Sequence, residues 1–318
     1  MRISVIGPGR WGCLIAWYLS TLGHNVTIYG PGDSDAFLAL IATRKNEYLT
    51  LPESIGFTTV LSEALEAETV VISVPSQALR GLMQSIATQD MVGKTFVLCM
   101  KGLEIGTGKR LSEVVSEYLP DKDRIAVWIG PGHVQEFYRG VPNCMVIDST
   151  SEETKARLID AFRGPLIRFY YGSDLVGNEI GAATKNVVGI AAGFLDGLSL
   201  SSLKGALMSR GTREVARLIR ALGGNELSAY GLCHLGDYEA TVFSKHSHNR
   251  AFGEAFIKGK EFDALAEGYY TVKAMMDIGK KTDVELPIAT AVYRILYENA
   301  DPKETLQSLF DRSLKQEF

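Results

Sequence analysis

"RISVIGPGRWG", Arg2 to Gly12, is the stretch that decides the fold. Ile3 to Ile6 form a short apolar run of the kind that makes a buried strand, and from Trp11 to Leu22 the apolar residues recur at helical spacing. Between strand and helix stand Gly7, Gly9 and Gly12 in G-x-G-x-x-G spacing. In that setting each glycine has a task. Gly7 allows the tight turn, Gly9 lets a pyrophosphate approach the backbone, and Gly12 lets the helix pack closely. The helix N-terminus adds free N–H groups and a positive dipole end. The stretch predicts a nucleotide-binding βαβ unit, with Arg10 and Trp11 in the same loop as further cofactor contacts. A glycine turn without a ligand is the bland alternative.

Outward from this loop, apolar runs recur at Val26–Tyr29, Val70–Val74, Phe96–Met100, Ile125–Ile129, Cys144–Ile147 and Leu166–Tyr170. Helical patterns such as Ser76–Ala87 lie between most of them. Strands that are apolar throughout, alternating with helices, predict a mostly parallel sheet covered on both faces. After about Gly172 the strand signals stop. Helices are expected over 174–197, 202–221, 246–258, 268–281, 287–298 and 301–314. The fold class is therefore α/β, a Rossmann-like dinucleotide-binding domain over 1–172 followed by an all-helical substrate domain over 173–318.

Composition narrows the function. The chain has 318 residues, 46% apolar and 22% charged, with a formal net charge of −4. That charge leaves no global basic field for nucleic acid, so any anion must be held by a local cluster. Cys13, Cys99, Cys144 and Cys233 stand singly, without the spacing of a disulfide framework, as in a cytoplasmic protein. The start meets glycine too soon for a signal peptide, and the run from Ile180 is interrupted by Lys185, so no membrane role is expected.

Cations in apolar company supply the chemistry. Lys185 lies in "NEIGAATKNVVGIAAG", a helix packed on several sides, where burial disfavours the charged form and suits an amine to the proton transfer of alcohol oxidation. The competing reading is a lysine that snorkels to the surface. Asn178, seven residues earlier, is expected on nearly the same face, where it would polarise that pocket. Lys101 follows the Phe96–Met100 strand at its carboxyl end, the ligand edge of such sheets. At the same edge is "GPGH", Gly130 to His133, whose histidine is either catalytic or a structural loop residue. The second strand ends without the acid that usually reads an NAD ribose, and Arg10, Arg44 and Lys45 are candidates for a 2′-phosphate, so NAD and NADP both stay open.

"KHSHNR", Lys245 to Arg250, first suggests a metal site. Neither cysteine pairs nor a nearby acid cluster completes a ligand set for His246 and His248, and no metal is expected. An anion loop is the better reading, with Ser247 and Asn249 donating hydrogen bonds and Arg250 or Lys245 as nearby charge.

These stretches, with "KGLE", "GVP", "SRGTREVARLIRALGG", "LGD", "SHNRAFG" and "EGYYTVKAMMDIGKKTDVELP", resemble the bacterial NAD(P)-dependent glycerol-3-phosphate dehydrogenases over nearly the whole chain. The resemblance implies the interconversion of dihydroxyacetone phosphate and glycerol 3-phosphate, for glycerophospholipid synthesis, by a homodimer. It places Lys185 on the general base, Lys101 on a lysine touching cofactor and substrate, and Asp237 on a substrate-pocket aspartate. Asn186, Ser247, His248 and Asn249 fall on substrate contacts, as do Gly130 and Gly132, while Val134, His248 and Glu267 fall on cofactor contacts. Two departures stand out. Gly132 replaces a serine, and His248 replaces an arginine of the phosphate and cofactor loop. They keep open a divergent dehydrogenase of another small phosphorylated or acidic hydroxy compound, and beside it a non-catalytic nicotinamide sensor.

Overall fold

The computed structural model describes residues 1–314 and 316. The chain divides into two compact units, one of Met1–Lys101 with Lys109–Glu179 and the other of Gly102–Gly108 with Ile180–Phe318.

The first unit holds an eight-stranded sheet in the order β3-β2-β1-β4-β5-β6-β7-β8. Its elements run β1 (Arg2–Ile6), α1 (Arg10–Thr21), β2 (Asn25–Tyr29), α2 (Asp35–Thr43), β3 (Gly56–Thr58), α3 (Leu61–Ala64), β4 (Thr69–Ile72) and α4 (Leu79–Ile86). They continue through β5 (Thr95–Leu98), α5 (Leu111–Ser116), β6 (Ile125–Ile129), α6 (Val134–Tyr138), β7 (Asn143–Ser149), α7 (Glu152–Phe162) and β8 (Ile167–Tyr171). Every residue of β4, β5 and β6 is buried, as strands covered on both faces require. All pairings are parallel except β6 with β7. That pair is joined by a short return through α6, and antiparallel strands need no long crossover. β1 pairs with β2 on one side and β4 on the other, so strand order reverses there and the glycine loop sits at the switch point.

One strand escaped sequence reading. β3 has three residues, one of them glycine, too few to show any period. The largely aliphatic core of this unit includes an aromatic group, in which the Trp128 ring lies 5.4 Å from Phe162 and 5.1 Å from Phe169.

The second unit contains α9 (Lys204–Ala221), α10 (His248–Ile257), α11 (Glu267–Thr282), α12 (Pro287–Tyr297) and α13 (Pro302–Phe310), preceded by α8 (Leu175–Gly197), within which the division between the units falls. All six expected helices are present, with ends moved by a few residues. Between α9 and α10 lie a 3-10 turn, Leu235–Asp237, and a π-helical turn, Glu239–Phe243. α8 and α10 touch through glycine. A Cβ on Gly193 would stand 2.1 Å from the Arg250 carbonyl oxygen, and one on Gly253 would stand 2.3 Å from that of Ile190. Only residues without a Cβ let the two backbones approach so closely.

Candidate active site

The loop after β1 has the shape its glycines predict. Gly7 has φ +110°, and a Cβ there would stand 2.2 Å from the Ser73 carbonyl oxygen. A Cβ on Gly12 would stand 2.0 Å from the Gly7 oxygen, whereas one on Gly9 would meet nothing within 4 Å. Gly7 and Gly12 serve the turn, and Gly9 faces open space. The first turn of α1 has no side-chain cap and no acidic residue, so its N–H groups and dipole are available to an anion. Trp11 Nε1 is buried without a hydrogen-bond partner among the described residues. An open glycine, an uncapped helix end and an unsatisfied donor together fit a dinucleotide phosphate.

Around the loop, Arg10 lies over the Tyr48 ring at 5.5 Å, while Arg44 turns to the backbone. Its guanidinium donates to the carbonyls of Pro52 at 2.8 Å, Glu53 at 3.0 Å and Ile55 at 2.5 Å, and stacks over Phe57. Arg44 is therefore a clamp on the 52–55 turn, held by neutral carbonyls, whereas Lys45 is exposed. At the carboxyl end of β5, Lys101 Nζ donates to the Gly130 carbonyl at 2.5 Å. Gly130 and Gly132 have φ +144° and +140°, and a Cβ on Gly132 would stand 2.2 Å from the Phe137 ring. The serine hydroxyl absent at 132 is thus excluded by Phe137, whose ring also meets Trp11 edge-on at 6.0 Å. His133 caps α6, its carbonyl accepting from Glu136 and Phe137, and Val134 is buried behind it.

Asn178 is placed differently from its expected role. Its amide donates to the buried Asp148 carboxylate at 2.8 Å, which also accepts from the backbone of Ser149 and Asp174. Burial raises the Asp148 pKa against these bonds. Asn178 thus helps tie the start of α8 to β7, and does not polarise the surroundings of Lys185. One residue on, the buried Glu179 accepts from Arg110 at 2.7 Å and from the Ser112 hydroxyl and N–H, and burial raises its pKa as well.

In the helical unit the sequence-predicted groups come together. Lys185 is 7% exposed, and its Nζ lies 2.8 Å from Asp237 Oδ2 and 2.6 Å from Thr241 Oγ1. Thr241 passes its own hydrogen to the Asp237 carbonyl at 2.7 Å, so its oxygen is set to accept from the lysine. Lys185 does not snorkel. On the next residue, Asn186 Oδ1 accepts from Asn249 Nδ2 at 3.1 Å, and Asn249 Oδ1 accepts from Gly268 N at 2.9 Å. Glu267 is the first residue of α11, beside Gly268.

Ser247 is the N-cap of α10 and accepts from Arg250 N at 3.3 Å, which leaves its hydroxyl hydrogen to donate. His248 occupies the first helical position, its ring edge-on to Phe262 at 6.3 Å. Arg250 differs from expectation. Its guanidinium meets Asp196 at 2.7 Å and Glu254 at 3.1 Å, and donates to the Ser244 carbonyl, so it fastens α10 to α8 within a cluster where Lys204 shares Asp196 and Lys258 shares Glu254. Lys245 is exposed. Among the described residues no group of three or more His, Cys, Asp or Glu is placed to hold a metal.

Sequence reasoning missed a histidine. His234 is fully buried, with Nδ1 2.9 Å from the Gly181 carbonyl and Nε2 2.7 Å from the Tyr238 hydroxyl. Burial, aided by the charge of Lys185, pushes its pKa down to about 4. The only sequence signal was the i, i+4 spacing of His234 and Tyr238 around Asp237. A cavity of about 890 Å³ elsewhere in this unit, lined by Phe194, Leu195, Leu207, Ile295 and others, contains none of the candidate residues.

Comparison with known proteins matches residues 2–155 to the N-terminal and residues 174–307 to the C-terminal family model of NAD-dependent glycerol-3-phosphate dehydrogenase. The chain is 36% identical to the glycerol-3-phosphate dehydrogenase [NAD(P)+] of Pelodictyon phaeoclathratiforme, with 100% of this chain and 99% of that one covered. It is 37% identical to the protein of the same name from Thermoanaerobacter sp., at the same coverage. Among solved structures, glycerol-3-phosphate dehydrogenase from Coxiella burnetii superposes with a TM-score of 0.91 at 29% identity, covering 98% of this chain and 99% of that one.

Proposed function

The chain belongs to the NAD-dependent glycerol-3-phosphate dehydrogenase family and carries that family's NAD(P)-dependent oxidoreduction; from this premise we propose that Lys185 is the proton-exchanging residue for dihydroxyacetone phosphate and glycerol 3-phosphate. The observation that carries the assignment is the buried Lys185–Asp237–Thr241 cluster. A bound nicotinamide supplies the hydride chemistry. The protein supplies the proton. Asp237 favours the ammonium form of Lys185, the form that donates to the C2 oxygen during ketone reduction. In the opposite direction the same nitrogen, once neutral, accepts the C2 hydroxyl proton.

The other roles follow from the same reading. Gly7, Gly9, Gly12, Arg10 and Trp11 hold the cofactor, with Lys101, Val134 and Glu267. The hydroxyl of Ser247 and the second amide hydrogen of Asn249 donate to the substrate phosphate, with Asn186 orienting Asn249. The α10 N-terminus adds its dipole there, and His248 stands where a protonated ring adds charge. We assign the dinucleotide-binding role to residues 1–172 and the substrate role to 173–318, bounds that differ from the compact units, which divide after Glu179 and give Gly102–Gly108 to the second. A homodimer in the cytoplasm, serving glycerophospholipid synthesis, completes the proposal.

Lys185→Ala is expected to lower kcat by roughly 10²–10⁴-fold. NADPH binding, followed by fluorescence, should be nearly unchanged. A variant that still turns over removes Lys185 from the role. Steady-state rates with dihydroxyacetone phosphate, set against a panel of ketone phosphates and keto acids, test the substrate, and a markedly better ketone in that panel overturns it.

A further inference from the structure

His234 and Tyr238 bracket the turn that carries Asp237, and their side chains close on each other across it. The histidine Nδ1 faces the Gly181 carbonyl at 2.9 Å and must therefore carry the hydrogen. In the neutral ring Nε2 is then an acceptor, and the Tyr238 hydroxyl, 2.7 Å away, donates to it. The Gly181 carbonyl is also the helical acceptor four residues before Lys185 on α8. A Cβ on Gly181 would stand 3.0 Å from the His234 Cβ, and one on Gly211 would stand 3.3 Å from the Tyr238 hydroxyl, so glycine on α8 and on α9 makes room for this pair. Asp237 N closes the same turn by donating to the His234 carbonyl at 3.0 Å.

We propose that the His234–Tyr238 hydrogen bond is a staple that fixes the Asp237 carboxylate against Lys185, making both residues positioning residues for proton transfer. The proposal rests on the reading of Lys185 as the proton-exchanging group. Two consequences of the geometry carry it. The staple is anchored on the carbonyl one turn before Lys185, so it sets the distance between the helix bearing the amine and the turn bearing the acid. A neutral ring also leaves the Asp237 charge to Lys185, whereas an imidazolium here would compete for that carboxylate. The titratable groups bearing on the cluster within this unit include Asp237, His234, Tyr238 and, from α9, Glu214.

Tyr238→Phe keeps the ring and removes only the donor. Its kcat for ketone reduction is expected to fall roughly tenfold, the effect of leaving a buried acceptor unsatisfied beside the acid. KM for the cofactor should be unchanged. The alkaline limb of kcat/KM should move to lower pH, because an ammonium less well paired gives up its proton sooner. His234→Gln, which retains an N–H for Gly181 and an oxygen for Tyr238, should keep more activity than His234→Leu. A loss of rate matched by an equal loss of folded protein, with the alkaline limb in place, would make the staple merely structural and overturn the proposal. Wild-type rate and pH profile in Tyr238→Phe would do the same. Lys185→Met measured alongside separates the two readings: if it stays active the proton-transfer assignment itself is wrong, and if it is dead while Tyr238→Phe behaves as wild type only the staple falls.

Discussion

Gly132 shows how a single residue can be committed by its surroundings. Its φ of +140° disfavours any side chain, and the Phe137 ring fills the space where a Cβ would go. Gly132→Ser, the change toward the residue that the resemblance implies, is therefore expected to destabilise the protein by about 1–3 kcal/mol, visible as a lower Tm, without improving KM. A stable serine variant with tighter substrate binding would refute this. His248 is the other departure, a half-buried side chain whose ring meets Phe262. At the first position of α10 it lies where a phosphate is favoured, so substrate affinity should weaken as pH rises through the histidine's titration, and His248→Arg should abolish that dependence. A flat KM between about pH 6 and 8 in the unaltered protein counts against the role. Residue type and setting singled out Lys185, Ser247 and Asn249, and the family resemblance added Asp237; the fold brings Lys185 against Asp237 and Asn249 against Asn186. The intramolecular partners of Arg44, Arg250 and Asn178 were not legible, because a cation or amide in a sequence does not disclose which carbonyl or carboxylate will claim it.

At the scale of elements, the helices were legible because each keeps an apolar period over several turns, and the buried strands because their apolar runs are continuous. Partners were not legible, since periodicity says which face is covered and not by what. The contact of α8 with α10 is such a partner choice. It bears on the proposed site, because α8 holds Lys185 and α10 begins at His248 after its N-cap Ser247. Gly193→Ala would put a methyl 2.1 Å from the Arg250 carbonyl and 2.7 Å from Glu254 N, so the helices must separate. The expected result is a loss of about 1–3 kcal/mol from overpacking. Substrate KM should also rise, because Ser247 and Asn249 move with α10, while cofactor affinity holds. An unchanged substrate KM in a destabilised variant would show that the phosphate contacts do not depend on this contact.

For the molecule as a whole, two buried groups in the helical unit oppose each other in the dependence of stability on pH. Glu214 accepts from Ile288 N at 2.8 Å and Ala289 N at 3.0 Å, yet burial pushes its pKa up to about 7 from 4.5. Between those values the folded protein holds a proton that the unfolded chain has released, so this contribution to stability falls as pH rises. His234, held neutral down to about 4 against 6.5 in the open chain, acts in the other direction. The unfolded chain binds the proton there, and stability rises with pH until about 6.5. Over the shared window the two slopes, each at most about 1.4 kcal/mol per pH unit, cancel. Glu214→Gln removes one of them. The amide opposes one of two N–H donors with an NH₂ group, so the variant is expected to be less stable near pH 5. Its deficit relative to the unaltered protein should shrink by up to roughly 3 kcal/mol on going to pH 8, because only the unaltered protein bears the cost of ionising a buried carboxyl. Urea unfolding of both proteins across that range measures the difference directly. A gap independent of pH would mean that Glu214 ionises normally inside the fold and that the histidine slope is not being masked.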